Sequence, residues 1–311
     1  MSRYPLPSLG FLAFGIALTS ALPWGSRTVL QAAKPPGLFV SVVDRNGTPV
    51  TGLKPSQVTL QLDRKPCTSV RIEPIDWPMK LQVLVDNGVA IASSLPTLKD
   101  ALREFFDELP EGVETSLVTY SPQPQVVVPP TTDPQKRVQG LDRLASATSD
   151  ARFIEAVSEA TTRIARTKGD FFHTVMVVTT NGPEGSRGNV AEIVSQIRKD
   201  LSKRPVTAHV LMLALGEQQV VGKVAGAAAQ MQVGVMLTTA TRGTYESVNA
   251  VAQLPAVMKE FGKKIARSSL LQTNQYRVSC DKSPSTLSRA MISVSTPIDV
   301  NVIVTDDGRI P

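Results

Sequence analysis

Asp86 closes the apolar run Leu81-Gln82-Val83-Leu84-Val85 and is followed by Asn87 and Gly88. A carboxylate at the end of a buried strand is where an open α/β sheet places its ligand chemistry. Other reactive groups are scarce. The chain has only two histidines. His173 opens "HTVMVV" and His209 lies inside "VTAHVLML", so both read as satisfied sheet residues rather than general bases. No G-x-S-x-G elbow and no glycine-rich phosphate loop occurs. The glycine-rich stretch 181–189, "NGPEGSRGN", precedes a helical pattern but lacks the P-loop lysine, so it reads as a surface loop. No Cys/His cluster has zinc-ligand spacing. Glu104, Asp107 and Glu108 share the polar face of one helical pattern and read as solvated. With no nucleophile–base pair in sight, no catalytic residue is assigned.

The elements that must position Asp86 follow from the patterning. Apolar strand-like runs at 81–85, 113–120, 174–179 and 206–215 alternate with helical patterns at 96–109, 134–144, 150–168 and 190–204. A further helical pair follows, around 219–240 and 253–270. Pro96 and Asp150 read as helix-start signals. Strands alternating with helices of this length argue for a mostly parallel sheet covered on both faces. "PQVVVPP" (124–130), fenced by prolines, reads as an edge strand. Both ends of the chain have β character instead. "LFVSVVD" (38–44), "VTLQLD" (58–63) and "TSVRIEP" (68–74) alternate, with a hairpin-type turn at Asn46-Gly47. "NQYRVSC" (274–280), "RAMISVST" (289–296) and "DVNVIVTD" (299–306) alternate again. The economical layout is one small β-sandwich built from both ends of the chain, with the α/β unit inserted.

The start of the chain differs from the rest. Arg3 precedes an uncharged apolar run, Leu9 to Leu22, which suits a secretory leader and is short for a membrane span. The expected division is therefore a signal peptide at 1–33, cleaved after Ala21 or after Ala33, and the N-terminal half of the sandwich at 34–78. The α/β domain then occupies 79–271 and the C-terminal half of the sandwich 272–311. An uncleaved anchor is the alternative for the leader. The expected location is exported, either periplasmic or extracellular. Export makes Cys67 and Cys280 informative. If both ends share one sandwich, the two can face each other and close a loop of about 210 residues; two buried free thiols are the alternative.

The net charge of +6 is spread rather than concentrated. The densest basic stretches, 196–204 and 260–267, lack interleaved aromatics and read as solvated helix faces, which gives no support for nucleic-acid binding.

Three stretches carry a family likeness: "FVSVVDRNGTPVTGLKPSQVTLQLDRKP", "LQVLVDNG", and "LLQTNQYRVSC" followed by "RAMISVST". On these the chain resembles bacterial secreted proteins with a von Willebrand factor A (VWFA)-related domain. The resemblance implies a Rossmann-like α/β domain with a metal ion-dependent adhesion site. That site takes an Asp-x-Ser-x-Ser loop, a Thr from a second loop and an Asp after the fourth strand. Such oxygens suit Mg²⁺, which favours hard ligands near octahedral geometry. Asp86 matches the first Asp. Gly88 and Ala90 stand at the two serine positions, Ala151 at the threonine position with Thr148 nearby, and Asn181 at the last Asp. Ser93 and Ser94 lie too far along the chain to replace the lost hydroxyls. The expected site is degenerate, with no metal and no cofactor, Mg²⁺ being the one ion the resemblance would suggest. Asp86 is then expected to cap a helix or bond loop amides.

The expected function is a non-catalytic protein-binding or scaffolding module. It would contact protein partners through loops 86–95, 145–151 and 181–189, and would touch a membrane only if the leader stays attached. Cation-dependent adhesion and an exported hydrolase of unrecognised type are the alternatives.

Overall fold

The computed structural model describes residues 37–215, 224–280 and 290–310. The expected signal peptide and both its cleavage positions lie outside the described residues.

Six strands form the central sheet: β5 (Met79–Val85), β6 (Glu114–Thr119), β7 (Gln125–Thr131), β8 (Phe172–Thr180), β9 (Val206–Leu213) and β10 (Tyr245–Val248). Their order is β10-β9-β8-β5-β6-β7. All neighbours are parallel except β7, which runs antiparallel to β6 at the edge. The chain moves from β5 outward to β6 and β7, then returns to lay β8 on the other side of β5. The C-terminal end of β5 is therefore the switch point at which open α/β sheets form ligand crevices.

Helices cover both faces. On one side α1 (Leu95–Asp107), α2 (Pro134–Asp142) and α6 (Leu254–Gln272) supply Leu98, Leu102, Phe105, Leu141, Met258 and Phe261 to a core that also contains Leu81, Val83 and Val85. On the other, α3 (Phe153–Arg166), α4 (Val190–Leu201) and α5 (Val224–Thr241) supply Phe153, Ala160, Ile197 and Leu237 against Leu84, Val118 and Val177. Successive strand residues alternate between these two cores, as the period of two requires.

The two ends of the chain build two further antiparallel sheets. One is ordered β13 (Val300–Thr305), β1 (Leu38–Asp44), β11 (Tyr276–Ser279), β4 (Arg71–Pro74), and the other β12 (Ala290–Val294), β2 (Val58–Leu62), β3 (Lys65–Pro66). Leu38, Val40 and Val42 of β1 pack with Val58, Leu60 and Leu62 of β2 and with Tyr276 and Val278 of β11, giving the sandwich expected. The alternate residues of β1 are buried too. Phe39 packs on Trp77 with ring centroids 5.6 Å apart, Trp77 on Phe172 at 5.4 Å, and Val43 packs on Leu271 and Ile310. A strand buried on both faces reads as a nearly continuous apolar run, as "LFVSVV" does with only Ser41 interrupting it. Cys67 and Cys280 form a disulfide across this sandwich, with Cα atoms 6.1 Å apart and a sequence separation of 213.

Three local readings change. The Asn46-Gly47 turn folds the chain back for one bridge only, Val43 to Pro49, and β2 joins the other sheet. Helix α3 starts at Phe153 after Arg152 rather than at Asp150, because Ala151 is engaged in a bridge to Glu184. Strand β10 escapes the sequence pattern because it is four residues at an edge, of which only Val248 is buried.

Candidate functional site

The loops following β5, β6 and β8 and the segment between α2 and α3 meet at the switch point, and they bring together all five positions singled out in the sequence. Asp86 leaves β5 with its N–H still donating to the Val178 carbonyl of β8, at 2.9 Å. Its side chain is 1% exposed. Oδ1 accepts from the Gly88 N–H at 2.7 Å and Oδ2 from the Thr180 hydroxyl at 2.7 Å. Burial pushes the Asp86 carboxyl up from its ordinary value despite these bonds. Asp86 thus bonds a loop amide as expected; it does not cap the 3-10 turn that follows, whose cap residue is Gly88. Tyr120 lies close by, fully buried, donating to the Val178 carbonyl at 2.8 Å. Burial and then the Asp86 charge hold its phenol well above its ordinary value.

Gly88 is where the family places its first serine, and here the space for one is already filled. A Cβ on Gly88 would stand 2.9 Å from the Ser149 carbonyl oxygen and 3.1 Å from the Ala151 nitrogen. Ala90 faces Gly182 so closely that a Cβ on Gly182 would come within 2.6 Å of its methyl. Ala151 is buried, and its carbonyl accepts from Gly185 at 2.6 Å. Thr148 is exposed. Asn181 turns its amide toward β9: Oδ1 accepts from the Leu215 N–H at 2.7 Å and Nδ2 donates to the Leu215 carbonyl at 3.1 Å.

Asn87, which the sequence reading passed over, is the hub of the site. Its Nδ2 donates to the Ala145 carbonyl at 3.0 Å, its Oδ1 accepts from the Ser121 N–H at 2.9 Å, and its main-chain carbonyl accepts from Ala147 at 2.6 Å. Ser121 continues the network, its hydroxyl lying 3.0 Å from the Ser149 carbonyl and 2.9 Å from the Ser149 hydroxyl. Glu184 was also missed. Its Oε1 accepts from Ser186 at 2.8 Å, its Oε2 is buried without a partner, and burial raises its carboxyl. The only sequence signals for these residues were the polar doublet Asn87-Gly88 and the paired threonines 179 and 180 at the end of β8.

These residues do not fit a divalent ion. Both oxygens of Asp86 already accept hydrogen bonds, three ligand positions, Gly88, Ala90 and Ala151, have no side-chain oxygen, and the Asn181 amide is spent on Leu215. Among the described residues no group of three or more His, Cys, Asp or Glu side chains could hold a metal. Of the histidines, His209 is satisfied, its Nδ1 accepting from the Thr244 N–H at 3.1 Å. His173 is not, because its buried Nε2 has no partner.

Comparison with known proteins agrees with this architecture. Residues 81–183 match the family model of the von Willebrand factor type A domain. No curated protein matches the chain. Among solved structures, the chain is similar to a von Willebrand factor type A protein from Catenulispora acidiphila, with 15% identity over 76% of this chain and 51% of that one and a TM-score of 0.48. It therefore spans about half the length of that protein. It is also similar to the conserved hypothetical protein BatB from Bacteroides thetaiotaomicron, with 14% identity over 60% of this chain and 98% of that one and a TM-score of 0.44. The six-stranded, mostly parallel sheet with its two helical layers is a von Willebrand factor type A (VWA) core, and the chain contains a VWA domain, matched over residues 81–183.

Proposed function

We propose that this protein is an exported, non-catalytic protein-binding module that engages its partner without a metal ion. The observation that carries the reading is the state of Asp86. A carboxylate that coordinates a cation must present an oxygen to it, and both Asp86 oxygens are turned inward onto Gly88 and Thr180. Asn87, Ser121 and Ser149 tie the same loops together by direct hydrogen bonds, so the partner-facing surface is preorganised by the chain itself. That surface is made by loops 86–95, 145–151 and 181–189, with Val89 half exposed upon it. VWA domains are usually non-catalytic, and the buried, neutral histidines of this one offer no base to a substrate. The disulfide suits an oxidising compartment and supports export.

The test is calorimetric titration of the protein with Mg²⁺ and Mn²⁺, beside an Asp86→Ala variant. No saturable heat is expected in either. Saturable binding that disappears in the variant would replace this reading with cation-dependent adhesion. For export, N-terminal sequencing of protein recovered from outside the cytoplasm should find a start near residue 22 or 34; recovery from the cytoplasm alone would refute it.

A further inference from the structure

The opposite end of the central sheet holds a second polar site. The β5 register places Lys80 beside Glu114 of β6 and His173 of β8, and Gln82 beside Ser116 and Val175. Neighbours in a parallel ladder share a face. Leu84, two residues on from Gln82, packs in the core under α3, so Lys80 and Gln82 face α3 as well. The sheet floor beneath the last turn of α3 is therefore largely polar where its upper half is apolar.

A cavity of about 130 Å³ lies there, lined by Lys80, Gln82, Ser116, Arg163 and His173 among others. Gln82 and His173 are 7% and 5% exposed, and Gln82 Nε2 and His173 Nε2 are both buried with no hydrogen-bond partner. A buried donor without an acceptor carries an uncompensated desolvation cost and calls for an explanation. Two cations stand at the same cavity. Lys80 is paired with Glu114 at 2.9 Å and Arg163 with Glu159 at 2.6 Å, each through partly exposed side chains that can rearrange. The volume suits about four waters or one small oxyanion. Water can satisfy the amide; the two cations, although each already holds a carboxylate and Glu114 also lines the cavity, are what would favour an anion over water there.

We propose that this basal cavity binds a small oxyanion, a carboxylate or a phosphate, held by Gln82 Nε2 and His173 Nε2 inside and by Lys80 and Arg163 at its mouth. The site is independent of the loops around Asp86 and of any metal.

The experiment is calorimetry and thermal-shift titration of the full chain with sodium acetate and, separately, with inorganic phosphate, at constant ionic strength and against chloride. One saturable site for at least one anion is expected, with a rise in melting temperature. Gln82→Leu should abolish the binding while melting no lower than the parent without ligand, because it removes the unmet donor. Arg163→Gln, at a partly exposed position on the surface of α3, should weaken binding about fivefold or more. No saturable binding by either anion, or binding unchanged in both variants, would overturn the proposal.

Discussion

At the C-terminal end of β5, Asp86 is buried with every side-chain oxygen bonded, whereas near the start of the same strand Gln82 is buried with its amide nitrogen bonded to nothing. Gln82 lies within β5 and Asp86 directly follows its last residue. At Asp86 the chain has supplied its own partners, and the result is a stiff junction of four loops. At Gln82 and His173 it has not, and a polar pocket is left. A buried polar network whose members are all satisfied rigidifies a fold, while a partly satisfied one marks a place where something further is needed. The position that the family uses for binding is thus the closed end of this molecule, and the unassigned end is the open one.

Acid should separate the two ends most strongly. Burial, helped by Arg204 and Lys80, lowers His173 from 6.5 to about 4, and burial, helped by Lys264, lowers His209 likewise. The unfolded chain takes up these protons near pH 6.5 but the folded chain only near 4. Stability is therefore full above that upper value and falls as pH drops through the window, by roughly 3 kcal/mol per histidine. Asp86 and Glu184 act in the opposite sense. Their carboxyls are raised in the fold, so they contribute most below their ordinary values of 3.8 and 4.5 and lose that contribution as pH rises. Urea unfolding at a series of pH values should show the histidine loss, and His173→Gln should remove about half of it. An unchanged profile in that variant would break the contrast.

Gly88→Ser should cost about 1–3 kcal/mol through its clash with the Ser149 carbonyl, and should restore no Mg²⁺ affinity. A serine that fits and binds a cation would show that the closed end can be reopened by one residue. Gln82→Leu should raise stability by about 1 kcal/mol in chemical denaturation, since it deletes an unmet buried donor; a loss of similar size would mean the amide is satisfied in solution. The smallest effect expected is that of Asp86→Asn. It keeps an acceptor for the Gly88 N–H and should change stability by no more than about 1 kcal/mol. A large loss would show that the charge itself holds the loops.

Much of this molecule was legible in its sequence. The helical and strand periods marked the α/β unit, the alternating ends marked the sandwich, and the layout brought Cys67 and Cys280 together. What escaped notice did so for physical reasons. Strand β10 is too short and exposed to show a period. In "KLQVLVD" the glutamine passes as a lapse in an apolar run, because its meaning depends on which residues β6, β8 and α3 bring beside it. The absence of serine at 88 and 90 was readable. That Ser149 and Gly182 crowd those two positions was not, since the crowding comes from loops more than 60 residues away in sequence.

The Cys67–Cys280 bond has a mechanical consequence. The whole six-stranded core lies on the loop it closes, so a pull on the two ends of the chain has a covalent path from one sulfur to the other that bypasses residues 68–279. Along the covalent chain, tension loads β1 and β13 and bypasses loops 86–95, 145–151 and 181–189. A protease that cuts once inside that loop leaves both pieces on one covalent frame. A chain built this way can be tethered at its ends while its inserted α/β core stays mechanically quiet.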